Sequence, residues 1–366
     1  MRALVLEKSK DEKIVPGAVW HPISVRDVEQ PTPEEGEVLI RILAVAYNHR
    51  DLFIRRSQYP GITFPSILGA DGVGILESPQ SHSLKGKLVL IAPHENWLDS
   101  PLGPEQVNGK RFGILGGTRD TAARGTFADF ICVQESHVVS APAHLANEPS
   151  RETLAQLAAI PLGGLTAYRA LFTKGNVRAG TNVLITGIGG GVALQALQYA
   201  VAIKANVYVT SGSQAKLDKA IELGAQGGVS YRDDSWPKAL GKLLPKDHPE
   251  IDVVIDSAGG EIVNQLARIL TMGATVVCYG QTTGEAIQLS MAAVLKNIDV
   301  KGSTMGSLRE FKEAVAFIEK HKIVPIVHKI LDGLDAAEEG FEIMDKGSQF
   351  GKICLITDKT ALRSKL

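Results

Sequence analysis

Cysteine is scarce in this chain. Cys132, Cys278 and Cys354 are the only three in 366 residues, and each sits far from the others in an apolar, strand-like run. That excludes a disulfide framework and a clustered-thiolate metal site, and it predicts buried thiols. Net charge is nearly absent: 39 basic residues face 40 acidic ones, a formal charge of −1 at pH 7. No electrostatic case exists for a nucleic-acid partner or a membrane surface. No run of 18 apolar residues occurs, so no transmembrane helix is expected. The start, Met1-Arg2-Ala3-Leu4-Val5-Leu6-Glu7-Lys8, lacks the apolar core of a secretory signal. What remains is 44% hydrophobic and 22% charged, the balance of a globular protein long enough for two domains with sizeable cores.

The most informative stretch is Thr181-Asn182-Val183-Leu184-Ile185-Thr186-Gly187-Ile188-Gly189-Gly190-Gly191-Val192-Ala193-Leu194. An apolar strand runs into a glycine turn, and Val192, Ala193, Leu194, Ala196, Leu197 and Ala200 then recur at helical spacing. Strand, glycine turn and helix form the context of a dinucleotide cradle, in which glycines admit the pyrophosphate and the helix N-terminus offers free N–H groups. The strict G-x-G-x-x-G spacing fails at Val192. Gly187-x-x-Gly190-x-x-Ala193 keeps small residues where helix and strand must pack, and an ordinary tight turn is the competing reading.

Before this turn the chain reads as short strands, at 2–6, 23–28, 38–45, 72–76, 88–92 and 127–133, punctuated by Pro and Gly. Residues 93–125 form a weakly periodic insertion, either a functional loop or a surface excursion. From Asn182 onward strands and helices alternate: strands at 206–211, 228–231, 251–256 and 274–279, helices at 214–223 and 261–270. A βαβ series predicts a doubly wound parallel sheet. A helix over 308–320 and a strand over 352–357 follow. The fold class expected is α/β, a β-barrel-like domain at 1–145 and 305–366 enclosing a nucleotide domain at 146–304.

The chain resembles the zinc-independent, quinone-oxidoreductase-like branch of the medium-chain dehydrogenase/reductase superfamily. The resemblance is carried by Glu35-Gly36-Glu37-Val38, Tyr47-Asn48-His49-Arg50-Asp51, Leu68-Gly69-Ala70-Asp71-Gly72-Val73-Gly74 and Gly164-Leu165-Thr166-Ala167-Tyr168. Gly190-Gly191-Val192, Leu223-Gly224-Ala225, Asp252-Val253-Val254-Ile255-Asp256 and Gly351-Lys352-Ile353 extend it over nearly the whole length. It implies a GroES-like β-barrel catalytic domain and a Rossmann domain that binds the cofactor through Gly187, Gly190, Gly191 and Val192. Zinc in this family would need Cys near Asn48, a His-Glu pair near Ala70-Asp71 and Cys near Leu162. None is present, and no metal is expected.

An NAD-specific site wants a carboxylate at the end of the second strand, where this chain has Thr210-Ser211-Gly212-Ser213-Gln214-Ala215-Lys216. In the resembling enzymes a serine, a lysine and a tyrosine hold the 2′-phosphate. Here these are Ser211 or Ser213, Lys216 and Tyr231, with Arg232 nearby, and NADP(H) is the expected cofactor. By the same resemblance Thr166, Gly280 and the segment beginning at Ser303 line the nicotinamide site. Tyr59 aligns with a proton-donating tyrosine, and Asn48 occupies the vacated zinc-ligand position. The alternatives are a tyrosine that only packs and an amide serving a local turn.

The expected function is zinc-independent, NADPH-dependent hydride transfer to a small-molecule substrate, a conjugated carbonyl, quinone or enoyl thioester. Competing readings are a non-catalytic or weakly active NADPH-binding protein, and an alcohol dehydrogenase-like aldehyde or ketone reductase. Family habit predicts a homodimer. The terminal Ser364-Lys365-Leu366 matches a peroxisomal address; a cytoplasmic location is expected if that signal is not used.

Overall fold

The computed structural model describes residues 1–11, 13–107, 109–121 and 123–358. Ser364-Lys365-Leu366 therefore lies outside the described residues. The chain divides into two compact units, Met1–Leu162 with Ser307–Leu366, and Gly163–Gly306.

The first unit contains strands β1 (Arg2–Leu6), β2 (Ile23–Asp27), β3 (Glu37–Ala46), β4 (Ser66–Ile67), β5 (Asp71–Ser78) and β6 (Leu88–Ile91). The short pair β7 (His94–Glu95) and β8 (Gly113–Ile114) follows, then β9 (Phe130–Gln134) and β10 (Val138–Ser140). Its first helices are α1 (His49–Arg55), α2 (Ala143–Ala146) and α3 (Arg151–Ala158), and α4 (Pro161–Tyr168) crosses the boundary. The second unit alternates β11 (Asn182–Ile185), α5 (Gly191–Ala202), β12 (Asn206–Ser211), α6 (Gln214–Glu222), β13 (Gly227–Ser230) and α7 (Trp236–Gly241). It continues through β14 (Ile251–Asp256), α8 (Ile262–Leu266), β15 (Leu270–Cys278), α9 (Met291–Leu295) and β16 (Asp299–Gly302). The chain then returns to the first unit as α10 (Leu308–His321), β17 (Val327–Asp332), α11 (Ala337–Lys346) and β18 (Lys352–Ile356).

In the first unit the main sheet runs β10-β6-β5-β3-β18-β17, with β9 also on β3. Strand β3 is its axis. Glu37 to Arg41 pair with β9 and Ala44 to Ala46 with β18, while β5 covers the other edge through two register shifts. A ten-residue strand with two successive partners on one edge bends the sheet around a core that includes Ile40, Ile42, Val45, Leu76 and Leu355, all at 0% exposure. Helix α3 packs against β3, β5 and β18 with Leu154, Ala155, Leu157 and Ala158 buried. Residues 146–162 therefore go with the first unit, and the division falls at 162/163 and 306/307 rather than at 145/146 and 304/305.

In the second unit all six strands are parallel, in the order β13-β12-β11-β14-β15-β16. This is a doubly wound sheet whose order reverses between β11 and β14. Helix α6 ends as its sequence predicts, with Gly224 at φ +105 after the last turn. The helix expected over 261–270 stops at Leu266, because Leu270 is taken into the sheet opposite Ile251, four residues before the expected strand start. Tertiary pairing overrides the local helical period there.

Candidate active and cofactor sites

The glycine turn lies at the C-terminal end of β11. Gly187 and Gly189 have φ of +65 and +132, conformations that L side chains rarely adopt. A Cβ on Gly190 would have nothing within 4 Å, so the backbone faces open space. Helix α5 starts at Gly191 with Gly190 as its N-cap and no side-chain cap, which leaves its first N–H groups and its positive dipole end for an anion. Val192 stands inside the helix at the third-glycine position. The turn is braced from below. Gly187 N–H donates to Thr210 Oγ1 (3.2 Å), Ile188 N–H to Thr210 O (2.8 Å), and Thr186 Oγ1 to the buried Asp256 carboxylate (2.7 Å).

At the end of β12, Ser211 is buried and its Oγ accepts the Ser213 N–H at 3.2 Å. Gly212 is covered: a Cβ there would meet Tyr231 Oη at 2.7 Å and Arg232 Nε at 2.9 Å. Tyr231, just beyond β13, is thus brought onto the same loop as Ser211 and Ser213. Lys216, in the first turn of α6, has its pKa lowered by burial. Hydroxyls and cations gather here at strand ends that carry no carboxylate between Thr210 and Lys216. Farther across the sheet, Gly280 follows β15, its Cβ position 3.4 Å from Ser257 O. Ser303 follows β16, and its buried Oγ has no hydrogen-bond partner among the described residues. Thr166 Oγ1 lies 3.9 Å from Met305 Sδ. The residues expected around a nicotinamide therefore sit at strand ends of this unit or against the segment after β16. Positive-φ glycines, an open cradle, an uncapped helix and an orphaned hydroxyl suit a dinucleotide.

In the first unit Asn48 is the N-cap of α1, closed by a capping box with Asp51. Asp51 Oδ2 accepts the Asn48 N–H at 2.9 Å. Asp51 is fully buried, and burial pushes its carboxyl up to about 6. The Asn48 amide also meets a buried ion pair. Lys352 Nζ, at the start of β18, donates to Tyr47 O (2.7 Å), Asn48 Oδ1 (2.8 Å) and Asp71 Oδ2 (2.7 Å). Asn48 Nδ2 donates to the same Asp71 Oδ2 at 3.0 Å, and Asp71 Oδ1 accepts the Leu162 N–H at 2.6 Å. Asp71 is 0% exposed and Lys352 5%. The positions at which the family would place zinc ligands, Asn48, Ala70-Asp71 and Leu162, offer an amide, a methyl group beside a carboxylate already held by an ammonium, and leucine. This donor set does not fit zinc, which takes thiolate, imidazole or a free carboxylate. Among the described residues no group of three or more His, Cys, Asp or Glu could hold a metal ion.

Tyr59 is half-buried beyond the end of α1. The Arg50 guanidinium lies 5.0 Å from its ring centroid, and its hydroxyl makes no hydrogen bond to any described residue. Arg50 is itself buried and donates to Leu115 O and Gly116 O, both at 2.7 Å. It thereby pins the 93–125 insertion to α1. The insertion in turn holds the tyrosine loop, through Thr63 N–H to Gly117 O and Arg119 N–H to Gly61 O, both at 3.1 Å. A cavity of about 590 Å³ lies along the insertion, lined among others by Glu37, Glu95, Arg124, Cys132 and His137. No predicted site residue faces it. Sequence reasoning missed Lys352, Asp71 and Arg50 as site residues. The signal available was a lysine opening an otherwise apolar strand, Lys352-Ile353-Cys354-Leu355-Ile356.

Residues 34–143 match the alcohol dehydrogenase GroES-like domain, and residues 191–320 match the zinc-binding dehydrogenase family. A zinc-type alcohol dehydrogenase-like protein, YogA, of Leptosphaeria maculans is 43% identical over 94% of this chain and 98% of its own length. An acryloyl-coenzyme A reductase of Metallosphaera sedula is 27% identical over 91% of this chain and 96% of its own. Among solved structures, an NAD-dependent alcohol dehydrogenase superposes with a TM-score of 0.81 at 29% identity, covering 98% of this chain and all of that one. With its GroES-like unit, its doubly wound nucleotide unit and these relatives, the chain belongs to the medium-chain dehydrogenase/reductase superfamily of oxidoreductases.

Proposed function

We propose that the chain is a metal-independent, NADPH-dependent reductase of conjugated carbonyl compounds, with enones, quinones and enoyl thioesters as the substrate class. The observation that carries this reading is the Lys352 ammonium held among Asn48, Asp71 and Tyr47 at the family's zinc-ligand positions. In a zinc-dependent alcohol dehydrogenase a Lewis acid stabilises the charge on the aldehyde or alcohol oxygen. A conjugated system spreads that charge and needs only a hydrogen-bond donor. The acryloyl-coenzyme A reductase among the relatives supports the same class.

Gly187, Gly190, Gly191 and Val192 would hold the pyrophosphate at the N-terminus of α5. Ser211, Ser213, Lys216, Tyr231 and Arg232 would hold the 2′-phosphate, and Thr166, Gly280 and Ser303 the nicotinamide. When bound, the reduced cofactor supplies a hydride to the β carbon of the substrate. Asn48 donates to the carbonyl oxygen as negative charge develops there. The Tyr59 hydroxyl, which no described residue engages, supplies the proton.

Cofactor oxidation measured with NADPH and with NADH against enones, quinones, trans-2-enoyl thioesters and simple aldehydes tests the proposal. Turnover of a conjugated substrate with NADPH preferred, unaffected by chelator, is expected. Zinc-dependent turnover of aldehydes alone would favour the alcohol dehydrogenase reading that the YogA-like relative suggests. No turnover with any substrate would leave a nucleotide-binding protein.

A homodimer is part of the proposal. Among the described residues strand β16 pairs only with β15, and Val300 within it and Met291, Val294 and Leu295 of the preceding helix are 39–71% exposed. A second copy joining its edge there would bury them. Light scattering on the native chain and on Leu295→Glu reads this as loss of the dimer mass. Peroxisomal import through Ser364-Lys365-Leu366 is also proposed, and a fluorescent fusion with and without that tripeptide tests it.

A further inference from the structure

From the chemistry of the buried cluster around Lys352 we infer that this lysine is a positioning residue, fixing the Asn48 amide as a hydrogen-bond donor and so selecting substrates whose carbonyl oxygen becomes an enolate. The inference rests on the conjugated-carbonyl reading above and deepens it. An amide can be turned either way, and its two ends are distinguished only by their partners. Here the partners leave no choice. Lysine can only donate, and its three protons are matched by three acceptors: Tyr47 O at 2.7 Å, Asn48 Oδ1 at 2.8 Å and Asp71 Oδ2 at 2.7 Å. The ionised carboxylate of Asp71 can only accept. It takes the Leu162 N–H on one oxygen, and Lys352 with Asn48 Nδ2 on the other. Flipping the amide would set an NH₂ group against an ammonium and a carbonyl against a carboxylate, in a site where Lys352 and Asp71 are 5% and 0% exposed. Low local polarity makes that arrangement costly.

The Asn48 oxygen is therefore held by the ammonium. One of the two amide protons is spent on Asp71, and the other has no partner among the described residues. Asn48 is 8% exposed, so this proton is the one group the residue can offer to a ligand. A donor fixed in this sense favours an oxygen that gains negative charge and gives little to a hydroxyl that must lose a proton. Lys352 contributes by holding the donor, without touching substrate.

The test uses the full-length chain and three variants: Asn48→Ala, the paired change Lys352→Met with Asp71→Asn, and the triple combination. The paired change removes both charges, so no carboxylate is left buried alone and the fold is kept. Side-chain ¹⁵N–¹H spectra, with the Asn48 signal assigned by its loss in Asn48→Ala, read the positioning without any substrate. A proton shifted by its bond to Asp71 and slow to exchange with water is expected in the native chain, and a pair without that shift that exchanges fast with water in the paired variant. Unchanged amide signals in the paired variant would overturn the proposal. In turnover, Asn48→Ala should lower kcat on a trans-2-enone on the order of a hundredfold, the usual size for loss of one oxyanion donor, with the KM for NADPH held. On the paired background the same change should cost less than about twofold, because the donor is already misplaced. Multiplying losses would overturn the inference. A native chain that turns over no conjugated carbonyl sinks the functional reading instead, while the spectra still decide the role of Lys352.

Discussion

At the scale of single residues, the side chains that define the candidate site are held in place by charge. Lys352 alone illustrates the cost. Replacing it by Met leaves the Asp71 carboxylate at 0% exposure with only Asn48 and the Leu162 N–H as partners among the described residues. Breaking a buried pair from one side costs about 3–5 kcal/mol, so Lys352→Met should lower the denaturation midpoint sharply, and adding Asp71→Asn should recover most of the loss. Chemical denaturation of the two variants checks this. Tyr59 gives a cleaner separation of chemistry from folding. Its hydroxyl is bonded to nothing among the described residues, so Tyr59→Phe should leave the melting temperature unchanged while lowering kcat on the order of a hundredfold. Full turnover would reduce Tyr59 to a packing partner of Arg50. Lys216→Ala should weaken NADPH binding on the order of tenfold or more and leave NADH untouched, because a 2′-phosphate makes charge-assisted bonds that a ribose hydroxyl does not. Titration of intrinsic fluorescence with the two nucleotides reads it.

At the scale of elements, the 93–125 insertion is a buttress. Its strands β7 and β8 pair, Trp97 is wholly buried, and Arg50 ties its 115–116 segment to α1. The fit is close enough that a Cβ on Gly125 would stand 2.3 Å from both Ile67 O and Leu68 O, and one on Gly116 2.5 Å from the Gly69 backbone. Gly125→Ala should therefore lose stability by more than the roughly 1 kcal/mol of an average point substitution, which a thermal melt detects. Arg50→Met should speed trypsin cleavage at Lys110 and Arg111 and lower kcat through Tyr59, while cleavage within the nucleotide unit stays as it was. None of this was legible beforehand. The insertion lacks periodicity, and its partners lie at Gly61, Ile67 and Gly69, distant in sequence. The strand-turn-helix at 182–202 was legible, because glycine spacing and a 3.6-residue apolar repeat are local properties. The end of α8 was not: pairing of Leu270 with Ile251 is a contact across the sheet.

For the molecule as a whole, acid should be the weak side. Burial drives the His94 imidazole down to about 3 and His137 down to about 4. Both folded values lie below the ordinary value near 6.5. Between about 6.5 and 4 the unfolded chain thus binds more protons than the native one, so this contribution is complete above pH 6.5 and declines as pH falls. Melting temperature followed from pH 7 to 5 should drop, and His94→Phe should flatten the slope. The strand-rich first part, the alternation of strands and helices from Asn182, the glycine cradle, the carboxylate-free loop at Ser211 to Lys216 and the lack of zinc-ligand residue types were determined by the sequence alone, since each depends on neighbours within a few turns or on composition at a position. What the tertiary structure decided is which charge stands between Asn48 and Asp71. In the sheet Ala46 is paired with Asp71 on one side and Cys354 on the other. Asn48 follows Ala46 by two residues and Lys352 precedes Cys354 by two, so the strand alternation sends them toward one point. Register across β5, β3 and β18 joins residues some 300 positions apart in sequence. No local pattern encodes that register, because it is set by how three buried strands pack together.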